Sequence, residues 1–162
     1  MRARVITVSD RSAAGERDDV SGPLLVAALV EAGHETDAEI VPDGEASVGA
    51  ALGRAVAAGA RVVLTTGGTG VGPRDRTPEG TLDVVDRQVP GLAEALRAHG
   101  AASSPHAWLS RGVAGVVDAG PGRPGALVVN LPGNPAGARD GVAFLLPLVG
   151  HVIDQLGGGD HP

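Results

Sequence analysis

Four times along this chain a short aliphatic, β-branched run gives way to a polar turn, and the turn opens into a segment with helical spacing of apolar residues. Arg4–Val8 leads into Ser9-Asp10, and Ala38–Val41 leads into Pro42-Asp43-Gly44. The run 61–64 leads into a glycine-rich loop, and Ala126–Val129 leads into Asn130–Pro135. Strands alternating with helices predict an α/β domain, a three-layer α/β/α sandwich around a mainly parallel sheet. In such a sheet ligands bind outside the carboxyl ends of the strands, beside a topological switch point. All four turns are expected on that one edge.

The helical segments follow from spacing and punctuation. Ser21 is expected to cap a helix carrying Leu24, Leu25, Ala28 and Leu29, and Gly33 to stop it. Ala46–Ala58 presents Val48, Leu52 and Val56 on one face. A helix from Pro78 to Gln88 would turn Leu82 and Val85 inward, and after the break at Pro90-Gly91 a further helix covers Leu92–His99. Val113–Val117 pairs with Ala126–Val129 as strands, joined by Asp118–Gly125, a Pro/Gly-rich and flexible hairpin end. The last helix, from Pro135, is apolar nearly all round, which places it centrally or at a subunit interface. Pro147 is expected to kink it, His151 to be a core or interface residue, and the tail from Gly157 to fray.

The loop 64–80, LTTGGTGVGPRDRTPEG, concentrates the chemistry. Gly67, Gly68, Gly70 and Gly72 let backbone N–H groups approach a ligand. Thr77 reads as an N-cap with Pro78 at the first helical position, so a positive helix end would face the loop. Asp75 stands between Arg74 and Arg76, as a site carboxylate or as their salt-bridge partner. Asp43, taken alone, reads as a turn former and N-cap, and Ser9 and Asp10 suit an Asx-type turn as well as a ligand contact. Asn134 repeats the cap, with Pro135 behind it. Asp43 and Asp75 together suit a Mg²⁺–phosphate site, since Mg²⁺ takes one or two carboxylates with substrate oxygens and water. Arg11, Arg74, Arg76 and Arg111 could offset charge in phosphoryl or nucleotidyl transfer.

Composition removes competitors. All 13 basic residues are arginine, so a Walker A loop and a Schiff-base lysine are excluded. The absence of cysteine rules out thiolate chemistry and cysteine metal sites. A net charge of −6 with one Phe, one Trp and no Tyr argues against a nucleic-acid binder. No G-x-S-x-G elbow is present, and the histidines at 34, 99, 106, 151 and 161 show no close metal-binding spacing. The 162 residues are most simply one domain, and without a signal-like start or ~20 uninterrupted apolar residues a cytoplasmic location off the membrane is expected.

TVSDR near the start, D-x-SGP at Asp19–Pro23, TTGGTG…RD-x-TPE, Pro90-Gly91, LSR at Leu109–Arg111 and NLPGNP resemble, in order and over nearly the whole chain, the molybdopterin-binding domain of the Mog/MoaB type, to which the gephyrin domain is similar. The resemblance implies adenylylation of molybdopterin with Mg-ATP to give adenylylated molybdopterin and pyrophosphate. It implies a homotrimer or hexamer and transient contact with a molybdate-insertion enzyme. The family's two important aspartates match Asp43 and Asp75, as catalytic groups and metal ligands. Ser9, Asp10, Gly67, Gly68, Thr69, Gly70, Arg74, Thr77, Glu79, Ser110, Arg111, Pro132, Gly133 and Asn134 would bind nucleotide and pterin. A non-catalytic molybdopterin-binding or assembly module and a nucleotide hydrolase of the competence-damage type share that pocket, because fold does not fix function.

Overall fold

The computed structural model describes residues 1–159. Its strands are β1 (Arg2–Val8), β2 (Glu35–Val41), β3 (Val62–Thr66), β4 (Arg87–Gln88), β5 (Ala114–Val117) and β6 (Ala126–Leu131). Its helices are α1 (Asp10–Ala13), α2 (Ser21–Glu31), α3 (Glu45–Ala57), α4 (Thr77–Leu82), α5 (Pro90–Ala101) and α6 (Pro135–Leu156), with a 3₁₀ turn at Pro105–Leu109. One six-stranded sheet runs β2-β1-β3-β6-β5-β4. The first four strands in that order are parallel, and β5 pairs antiparallel with both β6 and β4. After β1 the chain steps outward to β2 and then returns to the other side of β1, so the switch point lies between β1 and β3.

Side-chain alternation explains the two covered faces. Val5, Val62, Leu64, Leu127, Val129 and Leu131 join α2, α5 and α6 in one buried cluster. Ile6, Val8, Val63, Ala126 and Val128 join α3 in the other. α6 buries Val142, Leu145, Val149 and Ile153 on the first face and leaves Leu148 exposed. It is the one helix among the described residues long and apolar enough to cross a membrane, yet this packed face makes it the core helix of the domain.

Several boundaries differ from expectation for identifiable reasons. β2 begins at Glu35 rather than Ala38, because an edge strand can expose acids and pair them with arginine: Arg4 reaches Asp37 at 2.9 Å and Arg54 reaches Glu39 at 2.8 Å. The helix after Pro78 stops at Leu82, which is exposed, and the rest of that stretch turns back to place Arg87-Gln88 against β5. α5 starts at Pro90 itself, since proline is suited to the first turn. Ser21 is the first helical residue of α2, and the capping acceptor is Asp19, whose Oδ1 takes Gly22 N–H at 2.9 Å. The Asp118–Gly125 connection is tied, with Gly120 and Arg123 bridged, Arg87 paired to Asp118, and Arg123 donating to the Asp118 carbonyl. His151 is exposed and contacts Gln155 rather than entering the core. Gly157 to Gly159 close α6 with hydrogen bonds to carbonyls of Ile153, Asp154 and Gln155 instead of fraying. The rest of the expected tail, His161 included, lies outside the described residues.

Near the carboxyl ends of the parallel strands the sheet carries a buried polar knot. Asn130 on β6 accepts Val113 N–H at 3.0 Å, and its amide donates to the hydroxyls of Thr65 at 3.0 Å and Thr81 at 2.9 Å. It thereby ties β6 to β3, to the segment entering β5 and to α4. Asn130→Ala removes three hydrogen bonds at once. Chemical denaturation is expected to show a loss of about 2–3 kcal/mol, the order of cost for buried groups left unsatisfied.

Candidate functional site

Register sets the site. Val8 pairs with Val41, Thr7 with Thr66, and Thr66 with Leu131, so four parallel strands end almost level. The turns after them are stitched by backbone: Ser9 N–H donates to Val41 at 2.9 Å and Gly67 N–H to Leu131 at 3.2 Å. Thr66 Oγ1 adds a bond to the Pro132 carbonyl at 2.8 Å. The expected convergence of Ser9-Asp10, Asp43, the glycine loop and Pro132–Asn134 on one edge is therefore present.

Two glycines make the close approach possible. Gly67 at φ 100° passes directly over β1, where any Cβ would collide with the Val8 carbonyl oxygen. Gly68 at φ 64° faces Thr77 and Asp43, where a Cβ would collide with Thr77 Oγ1 and stand 3.2 Å from Asp43 Oδ1. Thr77 is the first helical residue of α4, with Arg76 in the cap position. Its hydroxyl donates to the Gly67 carbonyl at 2.9 Å and its N–H to the Gly68 carbonyl at 3.1 Å. Thr77 therefore closes the loop rather than capping the helix.

Asp43 and Asp10 bind each other reciprocally. Asp10 N–H donates to Asp43 Oδ2 at 2.8 Å, and Asp43 N–H donates to Asp10 Oδ1 at 3.0 Å. The expected N-cap role of Asp43 falls instead to Gly44. Arg74 lays its fork on Asp10, with both bonds at 3.1 Å, and on the Asp43 carbonyl at 2.7 Å. The bonds from Arg74 hold the Asp10 carboxyl below the usual carboxylate range, and Asp10 in turn raises Arg74. Asp75 sits where Gly70 and Gly72 leave room, accepting Gly72 N–H on Oδ2 at 2.9 Å.

Arg111 spans the far side of the loop. It donates to the carbonyls of Gly70 at 2.8 Å and Asp75 at 2.6 Å, and pairs with Glu79 at 2.5 Å. Hydrogen bonding from Arg111 lowers the Glu79 carboxyl and raises the guanidinium. Ser9 caps α1 by accepting Ser12 N–H at 3.2 Å, and Asn134 caps α6 by accepting Gly137 N–H at 2.7 Å.

Two cavities open beside these turns. The larger, about 560 Å³, is walled by Thr69, Gly70, Ser110 and Pro132–Asn134 on one side and by α5, the 3₁₀ turn and the start of α6 on the other. A smaller one of about 260 Å³ lies over Ser9, Asp19, Thr66, Gly133 and Asn134. Neither Asp43 nor Asp75 lines either cavity; both abut the glycine loop, whose residues 69–70 form a wall of the larger. Sequence reasoning named Asn130 and Leu109 within motifs without giving either a role, and it missed the 3₁₀ wall with Ser104. It also missed the use of Asp19, whose Oδ2 accepts the Thr7 hydroxyl at 2.6 Å. Besides its place in NLPGNP, a polar residue at the end of an aliphatic strand was the signal available for Asn130.

The fold is thus a mainly parallel α/β domain in which the Asp10 and Asp43 turns meet the glycine-rich loop carrying Asp75 beside the switch point. The chain belongs to the molybdopterin-binding domain family: the model described as "Probable molybdopterin binding domain" matches residues 4–151. A molybdenum cofactor biosynthesis bifunctional protein of Synechococcus elongatus is 42% identical over 98% of this chain, and the chain spans 48% of that relative. A molybdopterin adenylyltransferase of Pyrococcus furiosus is 38% identical over 92% of the chain and 87% of its own length. Among solved structures, the molybdopterin biosynthesis Mog protein of Mycobacterium ulcerans superposes with a TM-score of 0.87 at 42% identity, over 96% of this chain and 98% of that one.

Two tests address the loop itself. Gly68→Ala forces a side chain into a positive-φ position already filled by Thr77, so unfolding experiments are expected to show a loss of about 1–3 kcal/mol. The Asp10 and Glu79 carboxyls titrate below their unfolded values, so their stabilisation is complete above about pH 5 and is lost as pH falls through the depressed values. Thermal midpoints should thus respond to these pairs only on the acid side. Asp10→Asn and Glu79→Gln should flatten that acid limb, by a small amount because both pairs are solvent-screened.

Proposed function

We propose that this protein is a molybdopterin adenylyltransferase of molybdenum cofactor biosynthesis. The observation that carries the reading is the meeting of both acid turns with the glycine loop beside the 560 Å³ cavity, in a chain that aligns with an adenylyltransferase over most of both lengths. In the reaction a phosphate oxygen of molybdopterin forms a bond to the α-phosphorus of ATP. The bond from that phosphorus to the bridging oxygen breaks, and pyrophosphate leaves with its electron pair.

The chain's own residues supply placement. Gly70, Thr69 and Pro132–Asn134 line a space large enough for a nucleotide or pterin ring, with backbone that can approach phosphate closely because glycine carries no side chain. Asp43 and Asp75 are hard oxygen donors, each tied by one oxygen to a backbone amide. Mg²⁺ takes one or two carboxylates and completes its shell with substrate oxygens and water, a demand that two acids can meet. These two acids would hold Mg²⁺, which when bound offsets phosphate charge. Arg76, about half exposed and paired to Glu79 at 3.5 Å, is a guanidinium that would turn toward a polyphosphate. Exposed Trp108, Leu109 and Leu148 supply apolar surface for a homotrimer or hexamer. A cytoplasmic location and hand-over to a molybdate-insertion enzyme follow from the same reading.

The test is to incubate the purified protein with molybdopterin, ATP and Mg²⁺ and to follow pyrophosphate and adenylylated pterin. Wild type is expected to form both, and Asp75→Ala to lose at least about 100-fold in turnover, within the range for removing one electrostatic group from such a site. Pterin binding without product would make the protein a carrier, and nucleotide hydrolysis without pterin would make it a hydrolase.

A further inference from the structure

We infer that Asp10 and Arg74 form an interlock that fixes the Asp43 turn against the Asp75 loop, and that both act as positioning residues rather than as ligands of substrate. The inference deepens the adenylyltransferase reading, because it assigns roles inside that site. Asp43 leaves β2 and Asp75 lies in the loop after β3, on opposite flanks of β1, so their spacing depends on contacts between turns. The Asp10 carboxylate is bonded to Asp43 N–H on one side and to the Arg74 fork on the other. Arg74 immediately precedes Asp75 and also grips the Asp43 carbonyl. One carboxylate and one guanidinium thus join three turns through five hydrogen bonds, counting the return bond from Asp10 N–H to Asp43.

Chemistry favours positioning over substrate contact. The Asp10 carboxylate already has Arg74 and a backbone amide as partners, and a carboxylate turned toward a polyphosphate would repel it. The Arg74 fork is committed to three acceptors, two of them on a carboxylate that matches its planar geometry. Lysine could not replace it, since a single ammonium cannot hold the carboxylate in a fork and the carbonyl together. A misplacement of about 1 Å between catalytic groups costs as much as 100-fold in rate, so a link of this kind bears on turnover without touching the reacting atoms.

The test combines amide exchange with kinetics on the full chain, using Asp10→Asn, Asp10→Ala, Arg74→Ala and the double alanine variant. Asparagine keeps an acceptor for Asp43 N–H but sets an NH₂ group against Arg74. In Asp10→Asn the Asp43 amide should stay protected while the Gly72 and Asp75 amides, which Asp10 does not touch, exchange faster. Arg74→Ala should free the same Gly72 and Asp75 amides. Turnover should fall about 10- to 100-fold in Asp10→Ala and Arg74→Ala with KM for ATP and molybdopterin within about twofold. The double variant should be no worse than the poorer single, as expected for residues acting as one unit. Unchanged Gly72 and Asp75 protection in the folded variants would overturn the inference. So would a rise in KM with turnover kept, which would make these residues substrate ligands. Should the wild type form no adenylylated product, the exchange pattern still decides the interlock, and only the adenylyltransferase reading falls.

Discussion

The site rests on how closely three strand ends can lie. Gly67 passes over the Val8 carbonyl with no room for a Cβ, and a Cβ on Gly133 would stand only 3.0 Å from the Gly67 Cα. Backbone therefore packs on backbone where β1, β3 and β6 terminate, and every polar contact at the edge inherits that spacing. A side chain at Gly67 would push the loop away from β1 and carry Thr69, Gly70 and Asp75 with it. The level register of the parallel strands makes the approach possible, and the hydrogen bonds from Gly67 to Leu131 and from Thr66 to Pro132 keep it.

Around this junction the loops are held from three sides. Thr77 closes the inner side of the glycine loop, and Arg111 the outer side through Gly70, Asp75 and Glu79. Asp10 and Arg74 close the side toward β2. Little of this depends on burial, since Arg74, Arg111 and Asp10 are all partly solvated. Geometry supplies the order: each guanidinium meets several acceptors whose positions the sheet has already set. The buried knot at Asn130 anchors the same region from beneath.

Much of the fold was legible because the parallel core strands are aliphatic runs, α2 and α3 each carry an apolar face, and α6 is apolar enough to be central. The layers, the parallel core and the clustering of four turns followed from those periods. The elements that were misread lie at sheet edges, where the rules relax. Glu35–Asp37 looks unlike a strand because its side chains face solvent and arginine, and β4 is two residues paired only to β5. At the site, residue types and loop positions were readable but their partners were not. Asp10 and Asp43 are 33 positions apart, and their mutual capping exists only in the register of β1 with β2. Arg111 was readable as a site residue, but nothing local reveals that the Gly70 and Asp75 carbonyls lie within reach of its fork.

The direction of these hydrogen bonds has a consequence for how such a loop can vary. Thr66, Thr77, Arg74 and Arg111 donate from side chains, and what they hold is largely main-chain carbonyl: Pro132, Gly67, Asp43, Gly70 and Asp75. A carbonyl is supplied by whichever residue occupies its position, whereas the donors are specific. Gly67 and Gly70 are fixed by the lack of room for a side chain, but exchange of Pro132, Asp43 or Asp75 leaves the acceptor carbonyl in place, whereas loss of a donor leaves nothing to replace it. The information that shapes this edge is thus stored unevenly, in a few threonine and arginine side chains, while much of what they hold is free to serve chemistry.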